Sequence, residues 1–453
     1  MLSSANGTFY ETGAVARPPR PLLGAELDCE IVVVGGGLAG LWTALELARR
    51  GRDVVVVEAG RIGEGACGRN AGFVSPGYAE DPAKIVARVG ERHARALWRL
   101  SVEGVEAVRT AAADMPGVDP VAGRLIAFRT AGEDAAARLA ERVARWGSLA
   151  ELWRGPEVRE VLATARYRAA LALPEGFHLH PLNFVIGLAA AVEAAGGRIF
   201  EQSPVVHADL DGVRKRIETP QGRLRAHEVV VCGSAGVGRA FPVLAQSIVP
   251  VATHIGVTAP LGDRLAAAIR YSGAVSDNRP GGDNFRVVGE RLLWGGRITT
   301  RTRPPAQLHR LIASDIAAVF PQLAGIEVAH AWSGVMGVAA HKMPQVGRLG
   351  PGLWLASAFG DHGLAATAST GWLIASAILD GDDRWRLFIP FGLVPAGVLG
   401  RITVQLGYWS MQLRDRRDEM LLRRAEQREK AEAPPAILPP ASASDLVAPP
   451  PMA

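Results

Sequence analysis

The chain has 453 residues, 48% hydrophobic and 21% charged, with a formal net charge of +5. That length favours two domains or one interleaved pair with a sizeable core. Its basic residues are almost all arginine and form no compact stripe, and Cys29, Cys67 and Cys232 show no C-x-x-C spacing. Nucleic acid, a disulfide framework and a zinc cluster are therefore excluded, and a reducing, cytoplasmic setting is the default.

Residues 1–25 are polar, contain Pro18-Pro19-Arg20-Pro21 and read as an extended leader without a secretory signal. Ile31–Val34 is an all-apolar strand of the kind buried on both faces of a parallel sheet. A helix over 38–50 and a second buried strand, Val54–Val57, complete one βαβ unit. Amphipathic helices follow over 84–109 and 133–145, and Pro181 opens another over 181–195, ended by Gly196-Gly197. Short apolar strands recur at 229–231 and 353–356, while 251–300 alternates like antiparallel strands around Pro280-Gly281-Gly282. The fold class is α/β. A Rossmann-like nucleotide domain is assembled from 26–85, 175–250 and 326–382. An α+β domain with a mixed or antiparallel sheet, 86–174 and 251–325, is inserted between them. A helical segment, 383–430, and a Pro/Ala/Ser-rich disordered tail, 431–453, end the chain.

Gly35-Gly36-Gly37-Leu38-Ala39-Gly40 fits G-x-G-x-x-G between a strand and a helix. Gly35 permits the tight turn, Gly37 lets a pyrophosphate approach, and Gly40 lets the helix pack on the strand. The helix start at Leu38 and Ala39 offers N–H groups to phosphate. Glu58-Ala59 ends the second strand, where a carboxylate accepts hydrogen bonds from ribose hydroxyls. Two further features separate FAD from NAD. The loop containing Ala66-Cys67-Gly68-Arg69-Asn70-Ala71-Gly72 returns along the cofactor. Gly360-Asp361-His362-Gly363-Leu364 then aims a second helix N-terminus at a negative group, which suits the flavin edge that becomes anionic on reduction.

These residues resemble the D-amino-acid-oxidase-type family of FAD-dependent oxidoreductases, and within it the gamma-glutamylputrescine oxidase branch. Gly65 to Gly72 resembles the family's G-A-S-G-R-N-G-G loop, and Trp332-Ser333-Gly334 with Met343-Pro344-Gln345-Val346-Gly347 resembles its W-x-G … P-x-x-G signature. Val205-Val206 resembles the segment that contacts adenine through its backbone, and Gly360 to Gly363 resembles G-x-x-G-H-G. The resemblance implies oxidation of the C–N bond of an amine or amino acid by hydride transfer to flavin N5. Its alternatives are a membrane-associated dehydrogenase that passes electrons to a quinone, and a flavin-binding subunit that needs a partner for activity.

Some positions depart from the family. Cys67 replaces a serine, and Ala339 and His341 stand where many relatives carry threonine and aspartate. The region of Ser333 offers no cysteine for flavin attachment, so non-covalent FAD is expected. Leu293 takes the place of an oxygen-activating lysine, so the acceptor is either O2 or a quinone. Arg286 and Arg297 are candidates to clamp a substrate carboxylate, with Trp294 as pocket wall or core. His362 and His341 are the candidate catalytic groups. Leu399, Ile402, Leu406, Trp409 and Leu413, within 398–422, share a helical face. That face is expected to pack on the domain, the alternative being peripheral contact with the inner membrane.

Overall fold

The computed structural model describes residues 7–421 except 130, 131, 239, 280, 397–399, 401, 411, 412, 415, 416, 418 and 419. The expected tail over 431–453, the end of the helical segment and Leu399 therefore lie outside the described residues. The chain divides into Met1–Trp409 and Ser410–Ala453; in the latter Ser410, Leu413, Arg414, Arg417, Met420 and Leu421 are helical.

Among the described residues a six-stranded sheet runs Arg198–Phe200, Val54–Val57, Ile31–Val34, Glu228–Val231, Leu353–Ser357, Gln345–Gly350. All pairs are parallel except the last. The valine runs serve two cores at once because successive side chains point to opposite faces. Ile31 and Val33 join the core beneath the helices Leu38–Arg49, Pro181–Ala194 and Gly363–Asp380. Val32 and Val34 join a second core with Ile217 and Leu224, which belong to a small four-stranded sheet.

An eight-stranded sheet forms the other half. Its order is Val328–Val338, Val249–Thr258, Arg291–Thr299, Asn284–Val288, Ala274–Asp277, Arg124–Phe128, Ala169–Ala172, Glu151–Arg154. Two expected boundaries shift. Val328–Val338, read as part of the nucleotide domain, pairs antiparallel with Val249–Thr258 instead. The reading of one helix over 84–109 divides at Gly90, where φ of 81° ends Pro82–Val89 and starts Glu91–Ala113. That second helix packs on Gly363–Asp380, not within the inserted domain. A Cβ on Gly104 would lie 2.1 Å from the Ala365 carbonyl oxygen, so only glycine allows this approach.

Two terminal expectations are corrected. The supposed leader is anchored: Phe9–Gly13 forms a 3-10 turn with Tyr10 fully buried, and the Val15 N–H donates to Asn183 Oδ1 at 2.9 Å. Near the other end, residues 402–410 are helical, but Ile402, Leu406 and Trp409 are exposed while Gln405 and Tyr408 are buried. Gln405 explains the rotation, since its Oε1 accepts from the Thr300 N–H and the Thr300 hydroxyl, each at 2.8 Å. A buried amide needs such partners, and the apolar face is turned outward as a result.

Candidate active site

The nucleotide end is built on backbone approach. Gly35 has φ of 108°, and a Cβ there would lie 2.9 Å from the Cys232 carbonyl carbon. The Gly37 N-terminus of the first helix faces the Cys67 thiol, whose Sγ accepts from the Leu38 N–H at 3.2 Å. Burial pushes that thiol up to about 11, so it sits there neutral. Glu58 accepts from Gly36 N–H at 2.7 Å and Gly60 N–H at 2.9 Å, with Ala59 also contributing a backbone bond. Ser203 N–H donates to the Glu58 carbonyl, which brings the 202–206 segment alongside. There Val205 packs on the second core, and Val206 gives its N–H to Glu218.

The returning loop is tied to the eight-stranded sheet. Arg69 Nε donates to the Ser333 carbonyl at 2.9 Å and Trp332 Nε1 donates to the Arg69 carbonyl at 2.9 Å. Asn70 fixes the turn from within, donating to the Ala66 and Cys67 carbonyls and accepting from Gly72 N–H, while Gly68 closes the 3-10 turn. Arg69 Nη2 is buried without a hydrogen-bond partner. An unpartnered guanidinium N–H on this loop and a helix start without a side chain at Gly37 fit a dinucleotide. At the second turn, Gly360 has φ of 64° and donates to the Gly337 carbonyl, and the helix Gly363–Asp380 begins with Leu364 buried. His362 is its N-cap without a capping side-chain bond, and its Nδ1 lies 3.4 Å from Asp361 Oδ1.

The face of the large sheet turned toward this loop carries a row set by strand register. Leu293 pairs with Arg286, Val275 pairs with Phe285, and Ala274 pairs with Arg124. Since paired neighbours share a face, Leu293, Arg286, Ala274 and Arg124 form one line. Arg286 is 5% exposed; its Nη1 donates to His178 Nδ1 at 2.8 Å and its Nε is buried without a partner. His178 Nε2 contacts the Ser272 carbonyl at 2.9 Å, which can only accept, so the ring is neutral with the proton on Nε2. Tyr10 donates to the Asn70 carbonyl and sets its ring edge-on to His180 and Trp332.

Two expected site residues are corrected, and a third, Trp294, takes the core place of its two expected ones. Trp294 alternates onto the opposite face, stacked on Phe285 at 4.8 Å between ring centroids, and belongs to the core there. Arg297 sits in a β-bulge: two pairing steps on the Val249–Thr258 strand match three on its own, and its φ is 54°. The bulge carries its guanidinium to Asp315, with contacts at 2.5 and 2.7 Å. His341 has both ring nitrogens engaged, Nδ1 accepting from Met343 N–H and Nε2 facing the Gly392 carbonyl, so it fastens the chain and holds no free lone pair. Sequence reasoning missed Arg124, Tyr10 and the role of His178. The one available signal was a charged residue heading the apolar run Leu125 to Phe128.

Burial, then Arg286, holds His178 and His180 down at about 4, and burial, then Arg297, does the same for His254. Unfolded, these imidazoles titrate near 6.5. The unfolded chain therefore binds more protons between the two values, and stability present above pH 6.5 is lost as pH falls toward 4. Thermal melting points measured from pH 7.5 to 4.5 are expected to drop in that window. A flat profile would contradict neutral burial.

Residues 30–377 match the family model described as FAD dependent oxidoreductase. The chain is 32% identical over 426 residues to the gamma-glutamylputrescine oxidoreductase of Escherichia coli (strain K12), covering 92% of this chain and 99% of that one. Among solved structures, it resembles glycine oxidase from Geobacillus kaustophilus, with a TM-score of 0.69 at 22% identity over 81% of this chain and 98% of that one. L-proline dehydrogenase from P. horikoshii gives 0.66 at 20% identity, over 83% of this chain and all of that one.

Proposed function

The chain belongs to the DAO family of FAD-dependent oxidoreductases, and from that premise we propose that it oxidises the carbon–nitrogen bond of an amine or amino acid bearing a carboxylate. The observation that carries this reading is Arg286, a buried guanidinium outside any ion pair among the described residues, with an N–H left over. A buried cation without a counter-charge is costly, and a ligand carboxylate supplies what is missing. The similarity to a gamma-glutamylputrescine oxidoreductase, a glycine oxidase and an L-proline dehydrogenase supports the same bond class.

Bound FAD supplies a two-electron acceptor. The protein's part is positioning. Arg286 fixes the carboxylate while His178 holds one of its N–H groups. Leu293, Ile255 and Trp332 form an apolar wall that excludes water. The Arg286 charge in this dry setting disfavours a second cation, so a substrate ammonium placed here releases its proton more readily and presents the neutral amine needed for oxidation. We infer non-covalent attachment, supported by the three thiols, all raised by burial, Cys29 to about 12 and Cys67 to about 11. The test is anaerobic bleaching of the bound flavin by a panel of acyl-polyamines, N-methyl amino acids and D-amino acids. A yellow chain that no amine bleaches would refute amine oxidation. Flavin that stays with acid-precipitated protein would refute non-covalent binding.

A second reading concerns the electron acceptor. Ile402, Leu406 and Trp409 form an exposed apolar stripe, Arg301 lies over Trp409, and Arg414, Arg416, Arg417, Arg423 and Arg424 follow in sequence, interleaved with Asp415, Asp418 and Glu419. Such a pattern suits an anionic membrane surface, where a quinone is at hand. Among the described residues no helix is long and apolar enough to cross a membrane. Ile402→Glu with Trp409→Glu is expected to reduce co-sedimentation with phosphatidylglycerol vesicles by roughly fivefold or more. Equal sedimentation of parent and variant would remove this reading.

A further inference from the structure

Arg124 repeats the features of Arg286 on the same face of the sheet. It is 5% exposed, its Nη2 donates to Ser276 Oγ at 2.7 Å, and both Nε and Nη1 are buried without a partner. Among the described residues it makes no ion pair. Burial pulls it down to about 10, with Tyr271 and then Asp361 opposing the shift. Only Ala274 separates the two arginines in the row, so their Cα atoms stand two strand spacings apart, about 10 Å. Consecutive residues of the loop touch both: a Cβ on Gly72 would lie 3.3 Å from Arg286 Nη2, and the Arg124 guanidinium stacks 4.9 Å from the Phe73 ring centroid. Gly176 is bare where the Arg124 stem passes, since a Cβ there would lie 2.5 Å from the Arg124 Cβ.

We propose that Arg124 is a second anion-binding residue of the substrate pocket, and that Arg124 and Arg286 together select amines carrying two carboxylates. This rests on the amine-oxidising reading and narrows its substrate class. Two buried guanidiniums on one face repel each other and together leave three N–H-bearing nitrogens unpartnered. One monocarboxylate on Arg286 would satisfy only half of that arrangement. A substrate with a carboxylate at each end satisfies both, and leaves its C–N bond over the small Ala274 between them. Ser276 positions the Arg124 fork, while the Phe73 ring beneath it fixes the plane in which it presents its N–H groups.

The test uses the FAD-loaded full chain with glutarate and butyrate, two acids that lack an amine and so bind without reacting. Dissociation constants are read from perturbation of the flavin absorption spectrum and from calorimetry. Glutarate is expected to bind roughly 30-fold more tightly than butyrate, as a second charge-assisted contact would give. Arg124→Gln should erase most of that preference while leaving butyrate within about threefold, whereas Arg286→Gln weakens both acids. Arg124→Lys, which keeps the charge but loses the fork, should retain part of the preference. Equal affinities in the parent chain would overturn the proposal without any variant being needed, and so would a preference that survives Arg124→Gln. If glutarate is preferred but no amine bleaches the flavin, the pocket assignment stands and the reaction fails. If a monocarboxylate amine bleaches the flavin while glutarate shows no advantage, the reaction stands and Arg124 fails.

Discussion

Gly40→Val is expected to yield a chain that is purified without flavin and takes up added FAD at least roughly a hundredfold more weakly than the parent. A Cβ at Gly40 would lie 2.0 Å from the Gly35 carbonyl oxygen and 3.1 Å from Val33 Cγ1. The first obstacle is backbone and cannot rotate away. Either the helix Leu38–Arg49 lifts off the strand, or the Gly35 turn opens. Both moves displace the helix start that the phosphates of a bound dinucleotide would face. Gly35 has no slack either, because its φ of 108° and its closeness to Cys232 fix the turn. Flavin-to-protein absorbance ratios and fluorescence titration with FAD measure the effect. Gly236→Ala, where a Cβ meets nothing within 4 Å, serves as the control that keeps its flavin. A yellow Gly40→Val chain with parental affinity would mean that the cofactor is held elsewhere.

Arg286→Met should leave flavin content unchanged and lower kcat/KM for the best carboxylate-bearing amine by roughly 10²- to 10³-fold, equivalent to about 3–4 kcal/mol. Gly72 is the cofactor-loop residue beside the side chain, and methionine fills the same space without a new clash, so holoenzyme is expected to form as before. What disappears is the charge that fixes the carboxylate and lowers the ammonium pKa. Both KM and the acidic limb of the pH–rate profile are therefore expected to move upward. Arg286→Lys recovers little, because a single ammonium cannot both donate to His178 and present a fork. Activity within threefold of the parent would remove Arg286 from the pocket.

Much of the nucleotide half was legible from local rules. A run such as Val54–Val57 admits one reading, and glycine spacing identifies a turn whose sterics are those of the backbone alone. The substrate half obeys rules that are not local. Arg286 and Arg297 look alike in sequence, each on a strand of the same sheet. A single extra residue in the pairing leaves one facing His178 and sends the other to Asp315. Arg124 was invisible for the same reason, since its neighbour across the sheet, Ala274, lies far along the chain. The helical stripe Ile402, Leu406 and Trp409 was found at the right spacing, yet its burial was misread. Gln405 binds Thr300, and that tertiary bond outweighs the apolar count.

Tyr10 joins three separate segments, through Asn70, His180 and Trp332. Its ring partner Trp332 lies far along the chain, on the strand Val328–Val338. The Phe9–Gly13 turn thus links Asn70 of the returning loop to the strand that pairs with Val249–Thr258. The nucleotide βαβ unit is built from neighbours in sequence, whereas the contacts around Tyr10 join segments far apart along the chain, the kind of pairing that forms slowly. If Arg286 holds the substrate as proposed, capture depends on contacts that no local segment can make alone.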